Sequence, residues 1–359
     1  MENRNITLLV HTEMATLNWG KVVIEAFHKY ATKNGVILKT VYHWKDAVDS
    51  SVIVLIGVDD IWLKDAFGNL DLTNQRVILI DGVADEYRGQ ISYVLSDQDV
   101  NIRESLELLK SHGRNRTALF GVQKNDTSDI SKAVAFSKYA SSRDVYYVDR
   151  DIDACFDEFI TRVGQYDSVI CSNDIMAIYL SGRFGKMGIK IPEEIHLVGN
   201  GNLWLGAHIT PALTTVAYDV ETMVMVTLQM CKNLLQFEKL GAVDIHLKGE
   251  LIKRESTSDV YEETKFTSSR SLYQYNDSDD ICEEIYRIDM INRVLSSCTQ
   301  EKRDILRLLA EKESYSEIAE KVCLSEDTVK YHIKKLYKEL NIHSREELCE
   351  LVDCYGIKL

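Results

Sequence analysis

Proline is almost missing: two in 359 residues. A proline-rich spacer is therefore excluded, and any tether between domains must be built from other polar residues. No run of 18 apolar residues occurs, so no membrane-spanning helix is expected. Met1 to Asn5 lead straight into the apolar run Ile6 to Val10, without the length or cleavage site of a secretory signal; a cytoplasmic location is expected. The eight cysteines (155, 171, 231, 282, 298, 323, 349 and 354) form no CxxC pair and show no ligand spacing with histidine. Reduced thiols are expected rather than disulfides or zinc, and no cofactor is expected. Enzyme signatures are absent as well: no glycine-rich phosphate loop, nucleophile elbow or metal cluster. Gly199-Asn200-Gly201 is too short to be a dinucleotide fingerprint. Positive charge is in deficit, with 42 Lys and Arg against 56 Asp and Glu and a formal net charge of −14. The chain as a whole would hold nonspecific DNA feebly.

The scarce positive charge is concentrated near one end. Between Thr299 and Arg345 three helical patterns are joined by very short connectors. In the third, Val329, Ile333, Leu336 and Leu340 recur at i, i+4, i+7 and i+11, which is one buried face. Lys330, Lys334 and Lys338 recur at i, i+4 and i+8 on another face, with Lys335 beside them. A helix that packs on one side and shows a row of ammonium groups on the other suits a phosphate-lined groove. Ser314 to Glu317 and Ser344 to Glu347 read as capping boxes, and Ser325 as an N-cap with Glu326 and Asp327 in the first turn. A solvated lysine face on a generic bundle is the competing reading.

The stretch SEIAEKVCLSEDTVKYHIKKLYKELNIHSREEL resembles the LuxR-type helix-turn-helix through Glu317-Ile318-Ala319, Ser325, Thr328-Val329-Lys330, His332, Leu340 and Ser344-Arg345. The resemblance covers about the last 60 residues. It implies double-stranded DNA as partner, with Lys330, Tyr331 and Lys334 toward base edges and Thr328 near a phosphate. Lys335 and Lys338 join as phosphate contacts. The chain departs from the family in the first helix: Glu301-Lys302 replaces the usual Arg-Glu pair, and Lys312 the usual glycine of the first turn.

From Asn5 to about Asp259 the pattern is different. Short apolar runs (6–10, 51–56, 76–80, 117–120, 168–171 and 196–198) alternate with helical stretches (19–34, 99–112, 130–140, 153–163, 174–187 and 221–237). Runs of this kind, buried on both faces, predict doubly wound parallel sheets, and the length allows two lobes with a ligand cleft between them. Asn173-Asp174 with Met176-Ala177, Gly188 before Ile191-Pro192-Glu193, Val198-Gly199 and Pro211 to Val216 then resemble the C-terminal lobe of LacI-type sugar-responsive regulators, which are related to periplasmic sugar-binding proteins. The resemblance spans roughly residues 5–258. It implies a two-lobed effector domain of the type I periplasmic-binding-protein class, a small sugar-like effector and a homodimer. Carried over by position, the acidic cleft residue is Asp174, the cleft aromatic Trp19 and the clamping arginine Lys132, which lacks the bidentate fork. The later aspartate is Gly201, with Asn202 and Trp204 near that loop. Trp19 and Trp204 equally fit a core, and Asp174 equally fits a helix cap.

Three segments are expected: an effector domain over 1–258, a linker and connecting helix over 259–297, and a DNA-binding domain over 298–359. The polar, aperiodic stretch from Ser256 to Ser278 marks the tether. In the following helix Ile281, Ile288, Ile291 and Leu295 form a seam that serves either a dimer or packing on the chain's own domain. The leading expectation is an effector-controlled transcription regulator. The alternative is a LuxR-type regulator whose N-terminal domain is a ligand-free dimerisation or docking scaffold.

Overall fold

The computed structural model describes residues 6–16, 18–149, 151–257 and 283–359. Along the chain, β1 (Ile6–Val10), α1 (Thr12–Thr16), α2 (Asn18–Lys33), β2 (Leu38–Val41), β3 (Val52–Ile56), α3 (Asp60–Asn69), β4 (Arg76–Ile80) and β5 (Ser92–Ser96) build most of a first lobe. The second lobe takes α4 (Gln98–Ser111), β6 (Thr117–Gln123), α5 (Thr127–Tyr139), β7 (Val145–Val148), α6 (Ile152–Ile160), β8 (Ser168–Cys171), α7 (Asp174–Met187), β9 (His196–Asn200), α8 (Trp204–Ala207) and β10 (Thr214–Ala217). Then α9 (Val220–Gln236) and β11 (Asp244–Leu247) return to the first lobe, and β12 (Glu250–Ile252) closes the second. The chain thus crosses between lobes three times, which makes a hinge of three strands rather than a single flexible linker.

Each sheet has six strands, ordered β11-β5-β4-β3-β1-β2 and β12-β10-β9-β8-β6-β7. All pairings are parallel except β12 against β10. The apolar runs become central strands: β1, β3 and β8 are buried along their whole length, because helices cover both faces. The strands that the sequence pattern misses include the edges β2 and β11, whose residues alternate between covered and exposed. The strand expected over 117–120 continues to Gln123 through a bulge at Gly121, where φ is 85°. A Cβ there would lie 2.6 Å from Met176 Cγ, so both the backbone and the neighbouring helix require glycine.

The C-terminal part consists of α10 (Glu283–Ser297), α11 (Gln300–Ala310), α12 (Tyr315–Lys321), α13 (Glu326–Glu339) and α14 (Arg345–Tyr355). Its apolar core is continuous with that of the second lobe. The connecting helix is the reason: of the two uses open to its apolar seam, it packs on the chain's own domain. Ile288, Ile291 and Leu295 are buried within their own chain, joined by Ile285, and α10 packs on α7 and α8. Burying four such side chains contributes on the order of 10 kcal/mol before ordering costs, enough to hold a 15-residue helix in place. Asn292 adds direction, since its Oδ1 accepts from the Leu205 N–H at 3.0 Å. Ile281 and most of the expected tether lie outside the described residues. Ser256 and Thr257 do not behave as tether: both are buried, and Ser256 bonds to Leu197 and Thr214.

The chain's last residues also dock. The Lys358 N–H donates to His208 O at 2.5 Å and its ammonium reaches Glu255 at 3.1 Å.

Candidate functional site

Two places collect the chemistry-bearing residues. The first is the cleft between the lobes, formed by loops at the carboxyl ends of the strands. These loops are zipped together: Thr127 N donates to Val58 O at 3.1 Å, Asp60 N to Asn125 O at 3.3 Å, and Val83 N to Thr127 Oγ1 at 3.0 Å. Closure leaves an inner cavity of about 20 Å³, room for a single water. A groove of about 650 Å³ adjoins it and shares Asp81, Ser96, Gln98 and Ser128 with its wall.

Trp19 and Lys132 are the two expected effector residues that meet in this cavity. Lys132 is 1% exposed, and its ammonium lies 2.8 Å from Asp129 Oδ1. Burial works against that charge, but Asp129, Tyr218 and Asp126 outweigh it and hold the lysine's pKa above its ordinary value. Asp126 caps α5 by accepting from the N–H groups of Ser128 and Asp129 at 2.8 and 3.0 Å. Burial, followed by the Asp129 carboxylate, pushes its pKa up to about 7. Burial likewise raises the Tyr218 phenol to about 12. Asp81, Gln123, Asp126, Asp129 and Tyr218 therefore belong to the site although the sequence reading missed them. The one available signal was Asp126 and Asp129 flanking the start of a helical run.

The other three expected effector residues lie elsewhere. Asp174 is buried beneath the β9–α8 loop, where its carboxylate accepts from Leu203 N and Thr215 Oγ1, each at 2.6 Å. It does not cap α7; Asn173 does, by accepting from Met176 N at 3.1 Å. Gly199 packs so closely that a Cβ would stand 2.2 Å from Asp174 Oδ1. Asn202 turns through φ 50° and accepts from the buried Arg254 guanidinium at 2.7 Å. Trp204 stacks on His208 with centroids 3.7 Å apart, and Arg303 of α11 sits over its ring at 5.5 Å. These residues build the platform on which α10 and α11 rest. None of the three lines the cavity, and Trp204 is the one whose ring meets the C-terminal helices, through Arg303. Two residues of the cavity wall reach toward this region: Asn173, whose neighbour Asp174 holds the loop, and Tyr218, whose hydroxyl donates to Asn200 Oδ1 at 3.1 Å.

The second place is α13. Val329, Ile333, Leu336 and Leu340 are buried, as the stripe predicts. Lys330, Tyr331, Lys334, Lys335 and Lys338 are exposed and Thr328 is half-buried. Ser325 caps the helix through Thr328 N at 3.2 Å, and the Thr328 hydroxyl lies 2.7 Å from Ser325 Oγ. Lys330, Lys334 and Lys338 share a groove of about 410 Å³ with Tyr315, Tyr337 and His343, whereas Lys335 is outside it, 3.9 Å from Glu339. Lys330 is held by Glu326 at 2.6 Å. Among the described residues no carboxylate lies within 4 Å of Lys334 or Lys338, so these two ammonium groups are immediately available to an anion.

The caps are as expected at Ser314, where Glu317 and Ser314 satisfy each other. They differ at Ser344: its hydroxyl accepts from Glu347 N, but the Glu347 carboxylate reaches back to His343 N at 2.9 Å. Lys312, standing where a glycine was anticipated, adopts φ 68°.

Known proteins are similar to a stretch of each part. The family described as periplasmic binding protein-like domain matches residues 106–257, and bacterial regulatory proteins of the luxR family match residues 296–352. The HTH-type transcriptional regulator GalR of Escherichia coli (strain K12) is 30% identical over 101 residues, covering 28% of this chain and 29% of that protein. The HTH-type transcriptional repressor PurR of Vibrio atlanticus (strain LGP32) is 40% identical over 60 residues, 17% of this chain and 18% of that protein. The chain thus spans under a third of these relatives. Among solved structures, the complex of transcriptional regulator CelR with cellobiose superposes with TM-score 0.58 at 17% identity, covering 71% of this chain and 84% of that one. The Lac repressor dimer bound to operator and the anti-inducer ONPF gives 0.56 at 16%, covering 71% and 94%.

Proposed function

We propose that this chain, a periplasmic binding protein-like domain followed by a LuxR-type helix-turn-helix, is a cytoplasmic transcription regulator whose DNA binding answers to a small polar effector in the cleft. The row of exposed Lys330, Lys334 and Lys338 along one groove of α13 carries the DNA assignment. Lys330, Tyr331 and Lys334 reach base edges, while Thr328, Lys335 and Lys338 hold phosphates. Selection of a binding site from random duplexes tests this. The Lys330→Ala/Lys334→Ala variant should then bind the selected site at least tenfold more weakly, at about 1–3 kcal/mol per base contact. Unchanged affinity would refute the assignment.

The effector reading rests on the two-lobed cleft with Trp19 in its wall and several hydrogen-bonding side chains around it. A sugar-like ligand is in keeping with the cellobiose, lactose and D-xylulofuranose that fold neighbours hold. Entry requires the lobes to part at the 58–60 and 125–127 loops, a hinge motion about the three crossings. The signal can then pass from Asn173 through Asp174 to the α8 platform and α10. A homodimer is proposed, since one recognition helix covers only a few base pairs; light scattering tests it. The alternative of a ligand-free scaffold draws on one observation, the cavity of about 20 Å³ already occupied along its wall by the Lys132–Asp129 pair. Thermal-shift screening of the full chain against sugars and metabolites separates the two.

A further inference from the structure

Helix α13 presents one narrow stripe away from its own core. Asp327, Tyr331, Lys334 and Lys338 recur at i, i+4, i+7 and i+11, and all of them are exposed. At 3.6 residues per turn they lie on the side opposite the buried stripe of Val329, Ile333, Leu336 and Leu340. Lys330 and Lys335 flank the exposed stripe on either side.

Tyr331, Lys334 and Lys338 suit DNA; Asp327 is the anomaly. Its neighbour Glu326 is held by Lys330 at 2.6 Å. Among the described residues the Asp327 carboxylate has no cation within 4 Å and no hydrogen bond. An anion on this face repels phosphates, so it does not suit the sugar-phosphate backbone. Asp327 is the second residue of α13, and the N-terminal residues of a recognition helix are the ones that meet base edges in the major groove. There the chemistry of the edges decides. Guanine and thymine offer acceptors, which repel a carboxylate. Adenine offers an amino donor beside the N7 acceptor. Cytosine offers its N4 amino group with no acceptor beside it.

We propose that Asp327 is a specificity-determining residue that accepts a hydrogen bond from the N4 amino group of a cytosine in the major groove. The inference rests on the DNA reading above and adds one base to the preferred site. Lys334, seven residues on, lies about 10 Å further along the helix axis, or about three base-pair steps. The cytosine should therefore fall within about three base pairs of the position that Lys334 reads. Asp327 acts on discrimination more than on affinity, because repulsion from the phosphates offsets part of its contact. Its removal should level the bases at one position without the general loss that removal of a lysine brings.

The test is selection of duplexes from a random library by the full chain, followed by competition in fluorescence anisotropy with each base at each selected position. The proteins are the parent, Asp327→Ala, Asp327→Asn and Lys334→Ala, which marks the position that Lys334 reads. Glu326→Gln is the control, since it removes the same charge one residue away. In the parent, replacing the cytosine should weaken binding by about fivefold or more. Asp327→Ala should bring all bases at that position to within about twofold of one another and leave the preferences elsewhere unchanged. Asp327→Asn should favour adenine there, because a carboxamide matches both its N6 donor and its N7 acceptor. Glu326→Gln should keep the cytosine preference. A selected site with no cytosine preference within that reach, or a preference that survives in Asp327→Ala, would overturn the inference and leave the regulator intact; the acid would then serve only the helix dipole. Selection of no duplex at all would overturn the DNA reading and this inference together.

Discussion

Replacing Ile288 by alanine tests whether the connecting helix is an internal wedge or a contact between chains. Ile288 is fully buried in the core that joins α10 to the second lobe and the DNA module. Truncation removes three buried carbons and leaves a cavity that the flanking Ile285, Ile291 and Asn292 cannot fill, because each is itself fully buried. Core substitutions of this kind cost about 2–5 kcal/mol. The wedge reading places that loss in the unit formed by the second lobe and α10 to α14. Urea unfolding followed by circular dichroism should show the shift, of similar size at every protein concentration. Sedimentation should show the same oligomeric state as the parent. Unchanged unfolding accompanied by weaker self-association would refute the wedge, since burial would then have to come from a second chain. The same variant should loosen the module from its platform, because the Leu205–Asn292 bond lies one turn further along the helix.

Glu326→Gln should modestly strengthen binding to the selected duplex, because the exposed Glu326–Lys330 pair must break when Lys330 turns to DNA; equal or weaker binding by fluorescence anisotropy would contradict this. Asp126 has a raised folded pKa, so the folded state binds its proton more tightly than the unfolded chain. Its contribution to stability is greatest below about pH 4 and falls as pH rises to about 7. Asp126→Asn should consequently match the parent only at about pH 4 and below, and exceed it increasingly as pH rises to 8; a pH-independent gap between the melting curves would refute it. His196, whose pKa burial lowers to about 4, works in the opposite sense: it destabilises the fold as pH falls below about 6.5, which is why the comparison is made between variants. Lys312→Gly should raise the melting temperature of the module, since a side chain at φ 68° costs roughly 1 kcal/mol; a lower melting temperature would show that the lysine side chain contributes more than its backbone strain costs.

Much of the fold was legible because it depends on local periodicity. β1, β3, β4 and β8 were visible as apolar runs, α7 as a helical pattern, and α13 as a helical stripe with its cap Ser325. β2 and β11 were not, since edge strands carry polar residues on one side and imitate loops. Short α8 has too few residues to show any period.

The sequence by itself determined the order of the two modules, the doubly wound class of the first and the lysine row of the second, since each is a property of neighbouring residues on one element. Only the tertiary structure decided the membership of the cleft. Trp19 and Lys132 stayed in it, while Asp174, Asn202 and Trp204 were drawn into the platform beneath the DNA module. It also decided that Ile288, Ile291 and Leu295 face their own chain. An apolar stripe announces that a face will be buried, but the partner that buries it is set by how distant segments meet in space, and a residue's register in a helix or loop carries no record of that meeting.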